Sequence, residues 1–147
     1  MEFWIRKATI DDLKLLSQMN KELIEDEGSR NPMTLAQLED RFLGWLSSDW
    51  EIALFEKASA ILGYAVYQIR EDDFYPEESN VYLRQYYIAR QQRSHGYGSA
   101  VFKQLVRVSF PSGAKVTIDV LASNPRGQQF WTNCGFEPYY TNMQLKQ

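Results

Sequence analysis

The chain has 147 residues, 44% hydrophobic, 14% aromatic and 24% charged, with a formal net charge of −3. This length suits a single domain over 1–147 that buries a sizeable core, and the composition excludes a disordered tail. The acidic balance argues against a nucleic-acid partner, the lone Cys134 excludes a disulfide framework or a cysteine-built zinc site, and no apolar run approaches the roughly 20 residues that span a bilayer. The expectation is a soluble, cytoplasmic protein with no metal, no membrane and no nucleic acid.

In chain order, Phe3 and Ile5 alternate with Glu2, Trp4 and Arg6 as in a first strand with one buried face. Thr9 and Asp12 resemble a capping box, and Leu13, Leu16, Met19 and Leu23 follow at helical spacing, predicting a helix over 10–25. Thr34 and Gln37 form a second capping box before Leu35, Leu38, Phe42, Trp45 and Leu46, an amphipathic helix ending near Ser47. Ile52 and Leu54, then Ile61, Tyr64, Val66 and Ile69, read as two antiparallel strands joined by a turn at 57–60. The acidic stretch 71–79, broken by Pro76, reads as a mobile connection. Val81 to Ile88 is the fourth strand, Ser99 to Phe110 a helix stopped by Pro111 and Gly113, and Val116 to Val120 a fifth strand. Asn124 as N-cap with Pro125 at the first helical position opens a last helix carrying Phe130, Trp131 and Cys134, closed by Gly135. Tyr139 to Leu145 reads as a final strand. The predicted class is α+β, a mixed and mostly antiparallel central sheet flanked by helices in the order β-α-α-β-β-β-α-β-α-β.

The most informative stretch runs from Ile88 to Phe102, where an apolar strand passes through an arginine-rich turn into Gly96 and Gly98 and then a helix. Such a junction leaves unpaired N–H groups at the positive end of the helix dipole, and the glycines admit a bulky anion. Arg84, Arg90, Arg93 and His95 form a basic cluster inside the acidic whole, which fits a small polyanionic ligand. A P-loop needs Gly-Lys followed by Ser or Thr, which is absent. A dinucleotide fingerprint is opposed by Val101 at the third glycine position, by Asp119 lying inside its strand, and by two helices preceding the second strand.

Arg93-Ser94-His95-Gly96-Tyr97-Gly98 resembles the Arg/Gln-x-x-Gly-x-Gly/Ala signature of the GCN5-related N-acetyltransferase (GNAT) family. Asn124 to Phe136 is similar to that family's later Asn-x-x-Ala … Tyr-x-x-x-Gly-Phe helix, with Gly127 at the usual Ala. The resemblance spans essentially the whole chain. It implies acetyl-CoA as co-substrate, its pyrophosphate on the amides of Ser94, His95, Gly96, Tyr97, Gly98 and Ser99, and its pantetheine arm along Tyr86, Tyr87 and Ile88, with Arg93, Asn124 and Trp131 in the same site. It implies transfer of acetyl to a primary amine by direct attack, without a metal.

Two positions depart from the family pattern. Trp131 stands where a tyrosine acid is common, and an indole N–H is no acid at neutral pH. The fourth strand often carries a glutamate base, and this one offers Arg84 and Gln85, read as lining the substrate site or forming an internal ion pair. Tyr139, Tyr140, Glu27, Glu77 and Glu78 are the remaining candidates for proton transfer. His95 reads as solvated and Cys134 as a small buried hydrophobe. The acidic segments 25–27 and 71–78 point to a small cationic acceptor or a lysine or N-terminal amine. A non-catalytic acyl-CoA-binding or regulatory module is the alternative, and a homodimer is compatible with the sequence.

Overall fold

The computed structural model describes residues 2–58 and 60–147; Met1, and Ser59 in the expected 57–60 turn, lie outside them. Five strands form one sheet in sequential order: β1 (Trp4–Lys7), β2 (Trp50–Lys57), β3 (Ala60–Glu71), β4 (Ser79–Ile88) and β5 (Lys115–Ile118). The first three pairings are antiparallel and β4 with β5 is parallel. Helices α1 (Leu13–Asp26) and α2 (Leu35–Leu46) lie between β1 and β2, α3 (Tyr97–Val108) crosses from β4 to β5, and α4 (Pro125–Asn133) follows β5.

Each face of the sheet carries its own core. Leu16, Met19 and Leu23 of α1 with Phe42 and Trp45 of α2 cover Ile52, Leu54, Tyr64, Val66 and Tyr87. Val101, Phe102 and Leu105 of α3 cover Ala53, Phe55, Ala65, Tyr67, Val81 and Leu83 on the other face, with Trp131 of α4 and Cys134 just past its end packed at the margin. The period-two alternation of the strands divides their side chains between these two layers.

The expected helix ends are realised by their caps. Thr34 accepts from the Gln37 N–H at 3.2 Å while the Gln37 side chain accepts from the Thr34 N–H at 2.9 Å. Asp12 accepts from the Thr9 N–H at 2.7 Å, and residues 10–12 form a 3-10 turn ahead of α1. Asn124 accepts from the Gly127 N–H at 3.0 Å, and Gly135 just past α4 takes φ +103°.

Three expectations are corrected. No strand forms over 139–145: residues 137–147 run irregularly with Tyr139, Tyr140, Met143 and Leu145 exposed. Strand propensity takes effect only against a packed sheet neighbour, and none of the described strands pairs with this segment. The connection after β3, expected as a mobile segment, is anchored at its start, where Asp72 accepts from the N–H groups of Phe74 and Tyr75 and from Asn80. The third concerns β4: its register against β3 shifts between Val66 and Tyr67, which pair with Gln85 and Leu83 and leave Arg84 as an extra residue. This bulge turns Arg84 and Gln85 toward the same α1/α2 face, where regular alternation would separate them.

Candidate functional site

The strand-to-helix junction has the form the sequence predicts. After Ile88 the chain makes a 3-10 turn over Arg90–Gln92, takes positive φ at Ser94 (+66°) and Gly96 (+80°), and enters α3 with Gly96 as N-cap. Among the backbone hydrogen bonds outside regular elements, none has an N–H of Ser94 to Ser99 as donor. These amides gather at the positive end of α3, and Ser94, His95 and Gly96 are exposed. Gly98 is needed for packing: a Cβ there would lie 2.9 Å from the Phe130 ring.

β5 pairs with β4 only from Asn80–Lys115 to Leu83–Ile118. Beyond Leu83, the half of β4 from Arg84 to Ile88 has a sheet neighbour only on its β3 side, so the two parallel strands fork where β4 approaches the glycine turn. An open strand edge of this kind accepts an extended ligand by backbone pairing. Tyr86 lines the α3/α4 side, its hydroxyl donating to the Gly98 carbonyl at 2.5 Å and its ring 5.3 Å from Trp131 and 6.1 Å from Phe130. Burial pushes the Tyr86 phenol well up, so it holds the turn as a neutral donor.

The turn is clamped to α1. Arg90 reaches Asp26 at 2.9 Å and Glu25 at 3.2 Å, Arg93 reaches Asp26 at 2.6 Å, and the Tyr87 hydroxyl donates to Glu22. The α1 C-terminus has no basic residue in its last turn, and these arginines supply the missing complement to its dipole. Burial alone would raise Asp26, but hydrogen bonds from Arg90 and Arg93 outweigh it and hold the carboxyl below its ordinary value. Arg90, Arg93, Glu25 and Asp26 therefore neutralise one another, where the sequence suggested a basic lure for an anion and an acidic lure for a cation.

Glu27 differs from its neighbours. It caps α1 and is partly buried; burial first, and then the Asp26 charge, raise its carboxyl above the ordinary glutamate value. Its charge lies close enough to Tyr64 to act on that buried phenol. The Tyr64 hydroxyl donates to Gln85 Oε1 at 2.7 Å, Gln85 lies 3.5 Å from Asn20 Oδ1, and Arg41 donates to the same oxygen at 2.8 Å. Ser123 ahead of α4 donates to the Glu27 carbonyl at 3.1 Å, tying the loop after α1 to the segment that leads into α4. A carboxylate with raised proton affinity thus stands near the hydrogen-bonded group of Tyr64, Gln85, Asn20 and Arg41.

The Acetyltransferase (GNAT) family profile matches residues 14–136. The chain belongs to this family. No curated protein matches it in sequence. Among solved structures, a predicted acetyltransferase from Clostridium acetobutylicum, determined with acetyl-CoA, is 18% identical with a TM-score of 0.75 over 99% of this chain and 96% of that one. A GCN5-related N-acetyltransferase from Ralstonia eutropha is 20% identical with a TM-score of 0.70 over 99% of both chains. Glucosamine-6-phosphate N-acetyltransferase from Arabidopsis thaliana is 18% identical with a TM-score of 0.68 over 99% of both. At these identities the likeness establishes the fold, and the family match establishes a GNAT domain.

Within this GNAT domain the structure gathers Tyr86, Tyr87, Ile88, Arg93 and Ser94 to Ser99 around the turn, with Trp131 against Tyr86 and Phe102. The Asn124 side chain caps α4, so its role there is to shape the helix start. Glu77 and Glu78 lie at the opposite end of β4, lining a shallow polar cavity of about 380 Å³ with Ser112, Gly113 and Lys115. Ser79 to Ile88 spans about 30 Å of extended strand, so that cavity is remote from the turn. Tyr139 and Tyr140 meet edge to face in the exposed tail. Burial raises the Cys134 thiol, in keeping with a packing role. Sequence reasoning passed over Asn20, Arg41 and Trp50: polar or aromatic residues on core-facing positions of α1, α2 and β2 carry no motif, and the bulge that brings Arg84 and Gln85 to their face leaves no local signal.

Proposed function

We propose that the protein transfers the acetyl group of acetyl-CoA to a primary amine. The observation that supports this most directly is the set of unpaired amides from Ser94 to Ser99, placed where the β4/β5 fork ends. Those amides and the exposed left-handed Gly96 fit a pyrophosphate, and the open edge of β4 from Arg84 to Ile88 fits an extended pantetheine arm. Acetyl-CoA, when bound, supplies a thioester carbonyl reactive toward a neutral amine.

Glu27 is the general base of this reading. Alkylammonium groups hold their proton to about pH 10, and a glutamate raised by burial accepts it better than an exposed one. The amine nitrogen then forms the C–N bond as the C–S bond breaks, and its surplus proton leaves with the thiolate as thiol. A thiol near pKa 8.5 departs without a dedicated acid, consistent with Trp131 at the position where the family often places tyrosine.

Thermal unfolding with CoA, acetyl-CoA and NAD tests the ligand, because a ligand bound only by the native state raises the midpoint. Stabilisation by both CoA species and none by NAD is expected; no response to either CoA species overturns the reading. Thiol release from acetyl-CoA across a panel of amines tests the chemistry, and binding without release across that panel would assign a non-catalytic acyl-CoA module.

A further inference from the structure

The α1/α2 face of the sheet carries a continuous alternation of cations and rings. Arg41 stands 4.7 Å from the Trp45 ring, Arg84 5.2 Å from Trp45 and 5.6 Å from Trp50, and Arg70 5.7 Å from Trp50 and 4.8 Å from Tyr82. Among the described residues none of these three guanidiniums makes an ion pair. Nearby carboxylates are otherwise engaged: Asp119 accepts from the Tyr82 hydroxyl at 2.6 Å and Asp49 from Gln68 at 2.8 Å. Three uncompensated cations on one surface are unexpected in a chain of net charge −3.

The pair nearest the fork is also incompletely bonded. Arg41 Nε and Asn20 Nδ2 are buried donors with no partner, and Asn20 is 1% exposed. Burial first, and then the Arg84 charge, push the Arg41 guanidinium down, so the two cations repel. Proximity to the indole rings offsets part of that cost, and Arg41 spends one N–H on Asn20 Oδ1 at 2.8 Å. Arg84 is exposed, occupies the bulge, and is the first β4 residue beyond the last pair with β5. An anion bound there would lie beside the fork that receives the thioester.

Resting on the acyl-transfer reading above, we propose that the acceptor is an amine that also carries an anionic group, a carboxylate or a phosphate, clamped by Arg84 and Arg41. The exposed Arg84 guanidinium presents the paired donors that either oxyanion accepts, and Arg41 adds its charge and the N–H groups not donated to Asn20. Asn20, bridged to Arg41 and Gln85, supplies a further donor. The proposal replaces the purely cationic acceptor suggested by the acidic segments: Glu22, Glu25 and Asp26 are engaged by Tyr87, Arg90 and Arg93, and a polyamine approaching this face would meet uncompensated arginines.

The test compares matched pairs by calorimetric titration on CoA-loaded protein: a free amino acid against its carboxamide, and a phosphorylated amino sugar against its unphosphorylated parent. The anionic member of one pair should bind about tenfold tighter or more, since a hydrogen-bonded charge contributes that much. The preferred pair tells carboxylate from phosphate. Arg84→Gln should abolish the preference, and Arg84→Lys, which keeps charge but lacks the planar fork, should restore only part of it. Equal affinities within both pairs, including no detectable binding of any member, or an Arg84→Gln variant that keeps the preference, overturn the proposal. Failure of CoA itself to bind would instead overturn the acyl-transfer reading.

Discussion

Two residues carry the chemistry proposed for this domain. Glu27 binds its proton more tightly than an exposed glutamate because burial and Asp26 disfavour its charge, so activity should rise with pH through a value above the ordinary glutamate range. Glu27→Gln should lower kcat about 10²-fold or more and flatten that limb of the profile while CoA affinity holds. Its folded-state pKa is raised, so ionising the buried carboxyl costs stability as pH rises, and the amide variant should melt no lower than wild type at neutral pH. An unchanged kcat would remove Glu27 from the mechanism. At Gly96, φ of +80° is a left-handed backbone that a β-branched residue adopts at a cost of about 1–2 kcal/mol. Gly96→Val should lose that stability and also the thermal shift induced by CoA, and a retained shift would place the pyrophosphate elsewhere. Gly96 was legible because a glycine pair between strand and helix has a stated physical use. Glu27 stood out less, since exposure and burial look alike in a run of three acids.

Among the elements, β4 decides the site, with β3 and α1 holding it in place. The backbones of β3 and β4 approach so closely at Gly63 that an added Cβ would fall 1.8 Å from the Tyr87 carbonyl oxygen. Gly63→Ala must part the two strands beside the fork, at a cost of about 1–3 kcal/mol or more, read as a drop in denaturant midpoint. A midpoint equal to wild type would show that the sheet gives way easily there. The clamp between α1 and the glycine turn responds to pH in the opposite sense to Glu27. Asp26 is held below its unfolded value, so its contribution is present above about pH 4 and is lost as pH falls through the folded pKa. Asp26→Asn should therefore weaken CoA binding at neutral pH by releasing Arg93, and should blunt the acid limb of the stability profile. Both helices flanking this region were legible from Thr34–Gln37 and Asn124–Pro125, because capping is a local interaction between residues three apart. The bulge was not, because the register of β4 against β3 is set by packing across residues distant in sequence.

For the molecule as a whole, two cores on opposite sheet faces leave the C-terminal segment outside both. Amides of β2, β3 and the paired half of β4 should exchange slowest with solvent and those of 137–147 fastest, since protection follows burial and pairing. Tail amides as protected as those of β3 would show that the segment forms the strand its residues favour.

The sequence by itself determined the α+β class, the succession of elements from β1 to α4 and the glycine turn, because each rests on periodicity, caps or backbone freedom within a few residues of chain. Only the tertiary structure decided what the charged residues do. It paired Arg90 and Arg93 with α1, separated Glu77 and Glu78 from the turn by the length of β4, and brought Asn20, Arg41, Trp45, Trp50 and Arg84 from four elements to one surface. Electrostatic roles depend on distance and burial between segments far apart in the chain, and a one-residue bulge is enough to move a side chain from one face of the sheet to the other.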